Sequence, residues 1–173
     1  MKSTLEIRNL GQIKDITLPK GWVGGEPYQF VGGVGARSFR EVHPDAQPGS
    51  TLGFYYRGLP IGEEAAVNFH NLIEKPAHML TQAELSSLHE VLRDKAGPKD
   101  FTPMVARTED INGKRVLVIE GRYRELQEDT FAVFIDASGD GRAVQEVYYQ
   151  AAKDNYLDNL KAARDAIRSI RWK

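Results

Sequence analysis

The chain has 173 residues and a formal net charge of -1; 41% of the residues are hydrophobic and 27% are charged. This length predicts a single domain spanning residues 1–173, and the balanced charge argues against nucleic acid or a membrane surface as the main partner. Cysteine is absent, which excludes disulfides, thiolate nucleophiles and cysteine-ligated zinc.

The first third of the chain is predicted to form short strands separated by turns. Apolar and polar residues alternate there with the period of two that is typical of strands. The predicted strands are residues 5–7, 16–18, 28–31, 37–42 and 52–57. Glycines crowd residues 24–35, and the composition of residues 44–50 predicts a loop.

Two amphipathic helices are predicted next. The apolar face of the first is formed by Ala65, Ala66, Phe69, Leu72 and Ile73, and Pro76 ends it. The second begins at Thr81, since Thr81 and Glu84 have the spacing of a capping box. Its predicted buried stripe is Leu85, Leu88 and Leu92, and Gly97-Pro98 ends it.

The last third carries the clearest strand pattern. Asn112-Gly113 is a strong hairpin signal between the predicted strands 104–108 and 115–123. Residues 130–135 and 143–149 are predicted to form a further pair around a polar turn at residues 136–141. A final helix is expected to begin near Asp154 or Asn155. Its predicted apolar face is Leu157, Leu160, Ala163, Ile167 and Ile170.

Two of the predicted strands, 116–119 and 131–135, are apolar on both faces. Such strands need cover on both sides, and three amphipathic helices, helped by the N-terminal segments, can provide it. The hairpin signals imply antiparallel pairing. We therefore predict an α+β fold in which a mostly antiparallel sheet is sandwiched between helices.

The order of elements and three local stretches resemble the PsbP-like family, that is, the extrinsic photosystem II protein and its fold relatives. The stretches are residues 16–22, which contain Leu18-Pro19 and Gly21-Trp22, the hairpin at residues 111–114, and the final residues 169–172. Fold relatives include a Ran-binding nuclear-import factor, the DcrB lipoproteins and chaperones for secreted effectors. The resemblance implies an α/β/α sandwich and a mostly non-enzymatic, protein-binding role, and it brings no catalytic motif to carry over.

The histidines and the polar turn are the candidates for metal binding. His43, His70, His78 and His89 do not have the i, i+4 spacing of a helical metal site, so we expect structural or solvated histidines. Asp136, Ser138 and Asp140 alternate as in the first half of an EF-hand loop, but position twelve is Val147 rather than glutamate. We predict a plain hairpin turn and no metal site.

A glycine run and a carboxylate in an apolar strand are further candidates for ligand binding or catalysis. The run Gly32-Gly33-Val34-Gly35 lacks the spacing and the following helix of a phosphate-binding loop. Glu120 continues an apolar strand and is expected near Arg122 or Arg124, most simply at a solvated edge of the sheet. We therefore assign no catalytic residue and no cofactor, and we expect the protein not to be an enzyme.

The predicted partner-binding residues are Tyr55, Tyr56 and Arg57. A strand places adjacent tyrosines on opposite faces, so one of Tyr55 and Tyr56, and one of Tyr148 and Tyr149, can be exposed. Tyrosine and arginine are enriched at the energetically dominant positions of protein interfaces. The alternative is that these tyrosines pack under helices with only their hydroxyl groups at the surface.

The sequence therefore predicts a non-catalytic binding or structural module for an unidentified protein partner. The alternative is a small-molecule-binding protein or enzyme with a pocket between sheet and helices, lined by Glu120, arginines and tyrosines. Residues 1–9 do not resemble a signal peptide, and no apolar run approaches the ~20 residues that span a bilayer. We expect a soluble, cytoplasmic protein.

Overall fold

In a computed structural model of the chain, residues 6–26, 38–56, 61–92 and 100–173 are described, and the following account concerns those residues. The strands are β1 (Arg8–Leu10), β2 (Ile13–Asp15), β3 (Trp22–Gly24), β4 (Ser38–Pro44), β5 (Thr51–Tyr56), β6 (Phe101–Ile111), β7 (Lys114–Tyr123), β8 (Glu128–Asp136), β9 (Val144–Ala152) and β10 (Arg171–Trp172). The helices are α1 (Glu63–Glu74), α2 (Gln82–Ser86), α3 (His89–Leu92) and α4 (Tyr156–Arg168).

Seven strands form one antiparallel sheet in the order β3-β4-β5-β9-β8-β7-β6. The predicted hairpin joins β6 to β7 at Asn112 and Gly113, whose φ angles of 48° and 84° are the left-handed values that such a two-residue turn requires. The predicted α+β class, with a mostly antiparallel sheet between helices, is confirmed.

One side of this sheet, the α4 face, carries Val118, Val133 and Val147 on neighbouring strands. It is covered by α4 and by a small sheet of order β1-β2-β10, so that Ile13, Ile167 and many others are buried between the layers. Two N-terminal strands are present, but they pair at residues 8–10 and 13–15, whereas residues 6–7 and 16–18 are outside them; Leu5 of the predicted first strand lies outside the described residues. The small sheet closes because the last residues of the chain pair with β2.

The opposite side, the α1 face, carries Leu117, Ile119 and Phe134. Helix α1 packs over β7 and β8 through Phe69 and Leu72, and α3 contributes Val91 and Leu92 to the same cluster. The start of α1 is fixed in place by two backbone donors. The Ile61 amide donates to the Arg142 carbonyl at 2.6 Å, and the Gly62 amide donates to Glu90 Oε2 at 2.7 Å.

The predicted second helix is divided in two. Thr81 and Glu84 form the predicted capping box, and Leu88 and Leu92 are buried as expected, whereas Leu85 is only half-buried. Helix α2 ends at Ser86 because the Ser87 hydroxyl donates to the Glu84 carbonyl at 2.7 Å, a local bond that competes with the helical ladder.

The prediction for Leu157 is wrong, since its exposed fraction is 76%. Helix α4 begins at Tyr156, and its buried stripe follows Tyr156, Ala163 and Ile167, with Leu160 half-buried. A residue next to Tyr156 lies about 100° away around the helix and therefore faces solvent.

The outer edge of β6 is partly covered by residues 78–80. The Thr108 amide donates to the His78 carbonyl at 2.9 Å, and the Leu80 amide donates to the Ala106 carbonyl at 3.0 Å. Covering an edge in this way limits pairing with other chains. None of the helices in the described ranges is long and apolar enough to span a membrane.

Candidate functional site

The sheet's two faces are covered to different extents. The described helices on the α1 face pack over β7 and β8. Farther along that face, the half-buried residues are Glu41, Thr51, Glu128, Tyr148 and Gln150. Glu41 and Tyr148 both lie opposite Gly53, and Thr51 and Thr130 both lie opposite Gln150, so the side chains of these strands share this face. We call this region, defined by Glu41, Thr51, Glu128, Tyr148 and Gln150, the open patch.

A cavity of about 120 Å³ lies in the open patch. Its lining residues are Glu41, Gly49, Thr51, Glu128, Tyr148 and Gln150. They come from four adjacent strands, β4, β5, β9 and β8, and from the turn before β5, so the cavity exists only because β5 pairs with β9 across a long stretch of sequence. Two carboxylates, one aromatic ring and one amide thus meet on an accessible part of the sheet.

The ring of Tyr148 lies directly on Gly53. A Cβ at Gly53 would be 2.3 Å from Tyr148 Cζ and 2.5 Å from its hydroxyl oxygen, closer than atoms can approach. The Tyr148 hydroxyl donates to Glu41 Oε1 at 3.3 Å. Glycine at position 53 therefore allows the ring to lie against the strand, where it forms the floor of the cavity beside Glu41.

The two carboxylates of the open patch have neutral partners. Glu41 accepts from the Tyr148 hydroxyl, and Glu128 accepts from the side-chain amide of Gln150. Within the ranges that the structure covers, neither carboxylate forms an ion pair, and the cavity lining includes no lysine or arginine. Among the described residues, the carboxylates of the open patch therefore have no basic partner.

Of the predicted partner-binding residues, Tyr55 can be placed next to the open patch. Tyr55 is half-buried and lies opposite Glu146, on the same face as Phe134 and next to the open patch along β5. The side chain of Tyr56 and all of Arg57 lie outside the described residues. Of the second tyrosine pair, Tyr149 is fully buried and Tyr148 is half-buried.

Several other predicted features also lie outside the described residues. They are the strand at 28–31, the glycine run at 32–35, Arg37 at the start of the 37–42 strand, and the helix end at Gly97-Pro98.

Glu120 lies on the α4 face in an ion network, and the expected position at a solvated edge is wrong. Arg107 donates to Glu120 Oε2 at 2.6 Å, and Arg164 of α4 donates to Oε1. Both guanidinium groups lie over the ring of Phe131, at 6.0 and 5.1 Å from its centre. The expected neighbour Arg122 pairs with Asp129 instead. The bond between Glu120 and Arg164 attaches α4 to the sheet.

The histidines have structural contacts. His43 Nδ1 lies 2.9 Å from the Pro44 carbonyl oxygen, and His89 is exposed. His78 Nε2 lies 3.0 Å from Glu84 Oε2 and Nδ1 lies 2.8 Å from the Pro76 carbonyl. The Glu84 carboxylate raises the pKa of His78, and the Thr81 amide, followed by His78, lowers the pKa of Glu84 to about 2.

The carboxylate oxygens of the polar turn at residues 136–141 accept hydrogen bonds from donors within the turn. Asp136 Oδ1 accepts backbone N–H groups of Gly139 at 2.9 Å and Gly141 at 3.0 Å, and Ser138 donates to Asp140 Oδ1 at 2.6 Å. His70 Nδ1 is 3.7 Å from Asp136 Oδ2. No group of three or more possible metal ligands occurs in the part of the chain that the structure describes.

Two wider grooves lie at other edges of the molecule. One, of about 540 Å³, surrounds the pair between Arg171 and Asp15, and the other, of about 700 Å³, surrounds the pair between Arg115 and Asp110. The arginine in each of these pairs is matched by a carboxylate, and both carboxyl groups have a lowered pKa because of their arginine partners. The second groove also contains the ring of Trp172, with Lys114 Nζ 5.5 Å from its centre.

Comparison with solved structures supports the fold. The solution structure of cyanobacterial PsbP (CyanoP) from Synechocystis sp. PCC 6803 is similar with a TM-score of 0.56 and 13% identity. The similarity covers 100% of this chain and 94% of that chain. No protein-family model and no curated protein matches the sequence. The chain therefore has the PsbP-like fold, and at this identity the similarity concerns the fold alone.

Proposed function

We propose that this chain is a non-catalytic binding module, one domain over residues 1–173, which docks a protein partner on the open patch. The observation that carries the proposal is the ring of Tyr148, which is half-buried, lies on Gly53 and borders two carboxylates. A tyrosine fixed in this way offers a large contact area at little cost in conformational entropy, and such residues dominate many interfaces.

The absence of catalysis is part of the proposal. Outside the open patch, three groups that acid–base chemistry could use have structural partners: Glu120 binds two arginines, Asp136 binds turn amides, and His78 binds Glu84. Small-molecule pockets commonly have volumes of about 300–1,000 Å³, whereas the cavity of the open patch measures about 120 Å³. This size favours a side chain of a protein partner over a small-molecule substrate or cofactor.

Tyr55 lies on the same face of β5 as Thr51, and we propose it as the extension of this surface. Tyr56 and Arg57 are likewise proposed as partner-binding residues. A cytoplasmic location also remains a proposal.

The proposal is tested by site-specific photo-crosslinking in the source cells. A photoreactive phenylalanine analogue is placed at Gln150, in the open patch, and in a control at Lys161, an exposed residue of α4. We expect a discrete cross-linked protein from position 150 that is lost when Tyr148→Ala is added, while circular dichroism shows an intact fold. Equal cross-linking from both positions, or none from position 150, would contradict docking on the open patch.

A further inference from the structure

We infer that the partner inserts a lysine or arginine side chain into the cavity of the open patch, between Glu41 and Glu128 and against the ring of Tyr148. This inference rests on the proposed function and names the chemistry of its occupant, a basic protein segment.

The first argument is charge complementarity. Glu41 and Glu128 are half-buried, and their hydrogen-bond partners in the described structure are the neutral Tyr148 hydroxyl and Gln150 amide. A carboxylate that is partly removed from water is stabilised most by a cation within hydrogen-bonding distance. A basic side chain of the partner would supply the charge that the cavity lining lacks.

The second argument is the shape of the cavity. Its volume of about 120 Å³ is several times the ~10–15 Å³ that a cavity needs to hold one water. A guanidinium group has four non-hydrogen atoms and an ammonium group has one, so either head fits. Tyr148 offers its ring on one side of this space, and aromatic rings attract cations electrostatically.

The third argument is the remaining hydrogen-bond acceptor capacity of the two carboxylates. The Tyr148 hydroxyl and the Gln150 amide each occupy one oxygen of a carboxylate, and each carboxylate keeps a second oxygen. A carboxylate oxygen accepts more than one hydrogen bond, so both groups retain acceptor capacity for N–H donors.

The test is fluorescence anisotropy with a labelled decapeptide of alternating arginine and valine, and with the same peptide carrying citrulline for arginine. Citrulline keeps the shape of the side chain but removes its charge. We expect the citrulline peptide to bind at least ~10-fold more weakly, and the pair Glu41→Gln/Glu128→Gln to weaken the arginine peptide by at least ~10-fold. The control Glu63→Gln/Glu64→Gln, on the exposed first turn of α1, changes the net charge equally and should alter affinity less than ~2-fold.

The outcomes are separable. Equal affinity for the arginine and citrulline peptides, or an equal loss in the control pair, would overturn the inference. Micromolar calcium binding that displaces the peptide would overturn it too and would assign the carboxylates to a metal. A partner cross-linked through position 150 whose contact segment lacks lysine and arginine would leave the proposed function standing and remove this inference. If no partner is cross-linked there, the proposed function itself is wrong.

Discussion

Replacing Gly53 by alanine tests how the open patch is built. The new Cβ would lie 2.3 Å from Tyr148 Cζ, so the ring must swing away from the strand and release its 3.3 Å bond to Glu41. Loss of that bond costs about 0.5–1.5 kcal/mol. Alanine in place of glycine in a strand stabilises the fold by about 0.5–1 kcal/mol, because it lowers the conformational entropy of the unfolded chain. We therefore expect the free energy of unfolding to change by less than about 1 kcal/mol.

The binding surface should respond far more strongly than the stability. With the ring displaced, Gly53→Ala should lower affinity for the arginine peptide by at least ~10-fold, measured by anisotropy. Gly121→Ala is the contrasting variant, because its Cβ would lie 2.4 Å from the Thr102 carbonyl oxygen, a backbone atom that cannot move away. It should destabilise the fold by about 1–3 kcal/mol in urea titrations. The reasoning is refuted if Gly53→Ala is as destabilising as Gly121→Ala, or if it leaves peptide affinity unchanged.

Three further predictions concern stability, pH and metal. Ile167→Ala should lower the free energy of unfolding by about 2–5 kcal/mol because Ile167 is 1% exposed, and Leu157→Ala by less than about 0.5 kcal/mol; equal effects in urea titrations would contradict the burial pattern of α4. The ion pair between His78 and Glu84 should stabilise most between pH 4.5 and 6.5. The pKa of Glu84, lowered from 4.5 to about 2, makes its contribution full above 4.5 and lost as the pH falls toward 2. The pKa of His78, raised from 6.5, makes its contribution full below 6.5 and lost as the pH rises through the folded-state value; thermal melts in which Glu84→Gln matches the wild type at pH 5.5 would refute this. Calorimetry should show no calcium binding tighter than ~10⁻⁴ M at the turn, because Asp136 already accepts backbone amides; a micromolar isotherm lost in Asp136→Ala would contradict it.

The meander from β6 to β9 could be predicted because its signals are local. Asn112-Gly113 specifies a tight turn, and residues 131–135 are apolar at every position, so these strands are recognised within short windows of sequence. The capping box of Thr81 and Glu84 is equally local. Local signals also explain the error at Leu157, since spacing alone does not fix which residue begins the buried stripe when the helix start is uncertain by one position.

The open patch could not be predicted because its residues are distant in sequence. Tyr148 and Glu41 are 107 positions apart, and they meet only because β5 pairs with β9. Alternation shows that Tyr148 and Tyr149 point to opposite faces, but it does not show which face the helices leave accessible. The ion network of Glu120 could not be predicted for the same reason, because its partner Arg164 is 44 positions away on α4.

The carboxylates on the two faces of the sheet have different kinds of partner. On the α4 face, Glu120 binds two arginines over the ring of Phe131. On the open patch, Glu41 and Glu128 have neutral partners among the residues described. The chain has 23 basic and 24 acidic residues, so composition does not force this difference. This difference in partners is expected if a binding partner supplies the cation for the open patch.

An internal cation in the open patch should therefore act as a competitor. Thr51 is half-buried and lines the cavity with both carboxylates. Its strand β5 lies between β4 and β8, which carry Glu41 and Glu128, so Thr51→Arg would place a guanidinium within reach of either. We expect the arginine peptide to lose at least ~10-fold in affinity, because the carboxylates are then neutralised from within. Thr51→Gln, similar in length but uncharged, is the matched control and should lose much less. The free energy of unfolding should rise or stay constant in Thr51→Arg, since a carboxylate bonded to a charged donor contributes about 1.5–3 kcal/mol, offset by the ordering of a long side chain. If both variants weaken the peptide equally, the loss is steric, and the carboxylates of Glu41 and Glu128 are not what the cation binds.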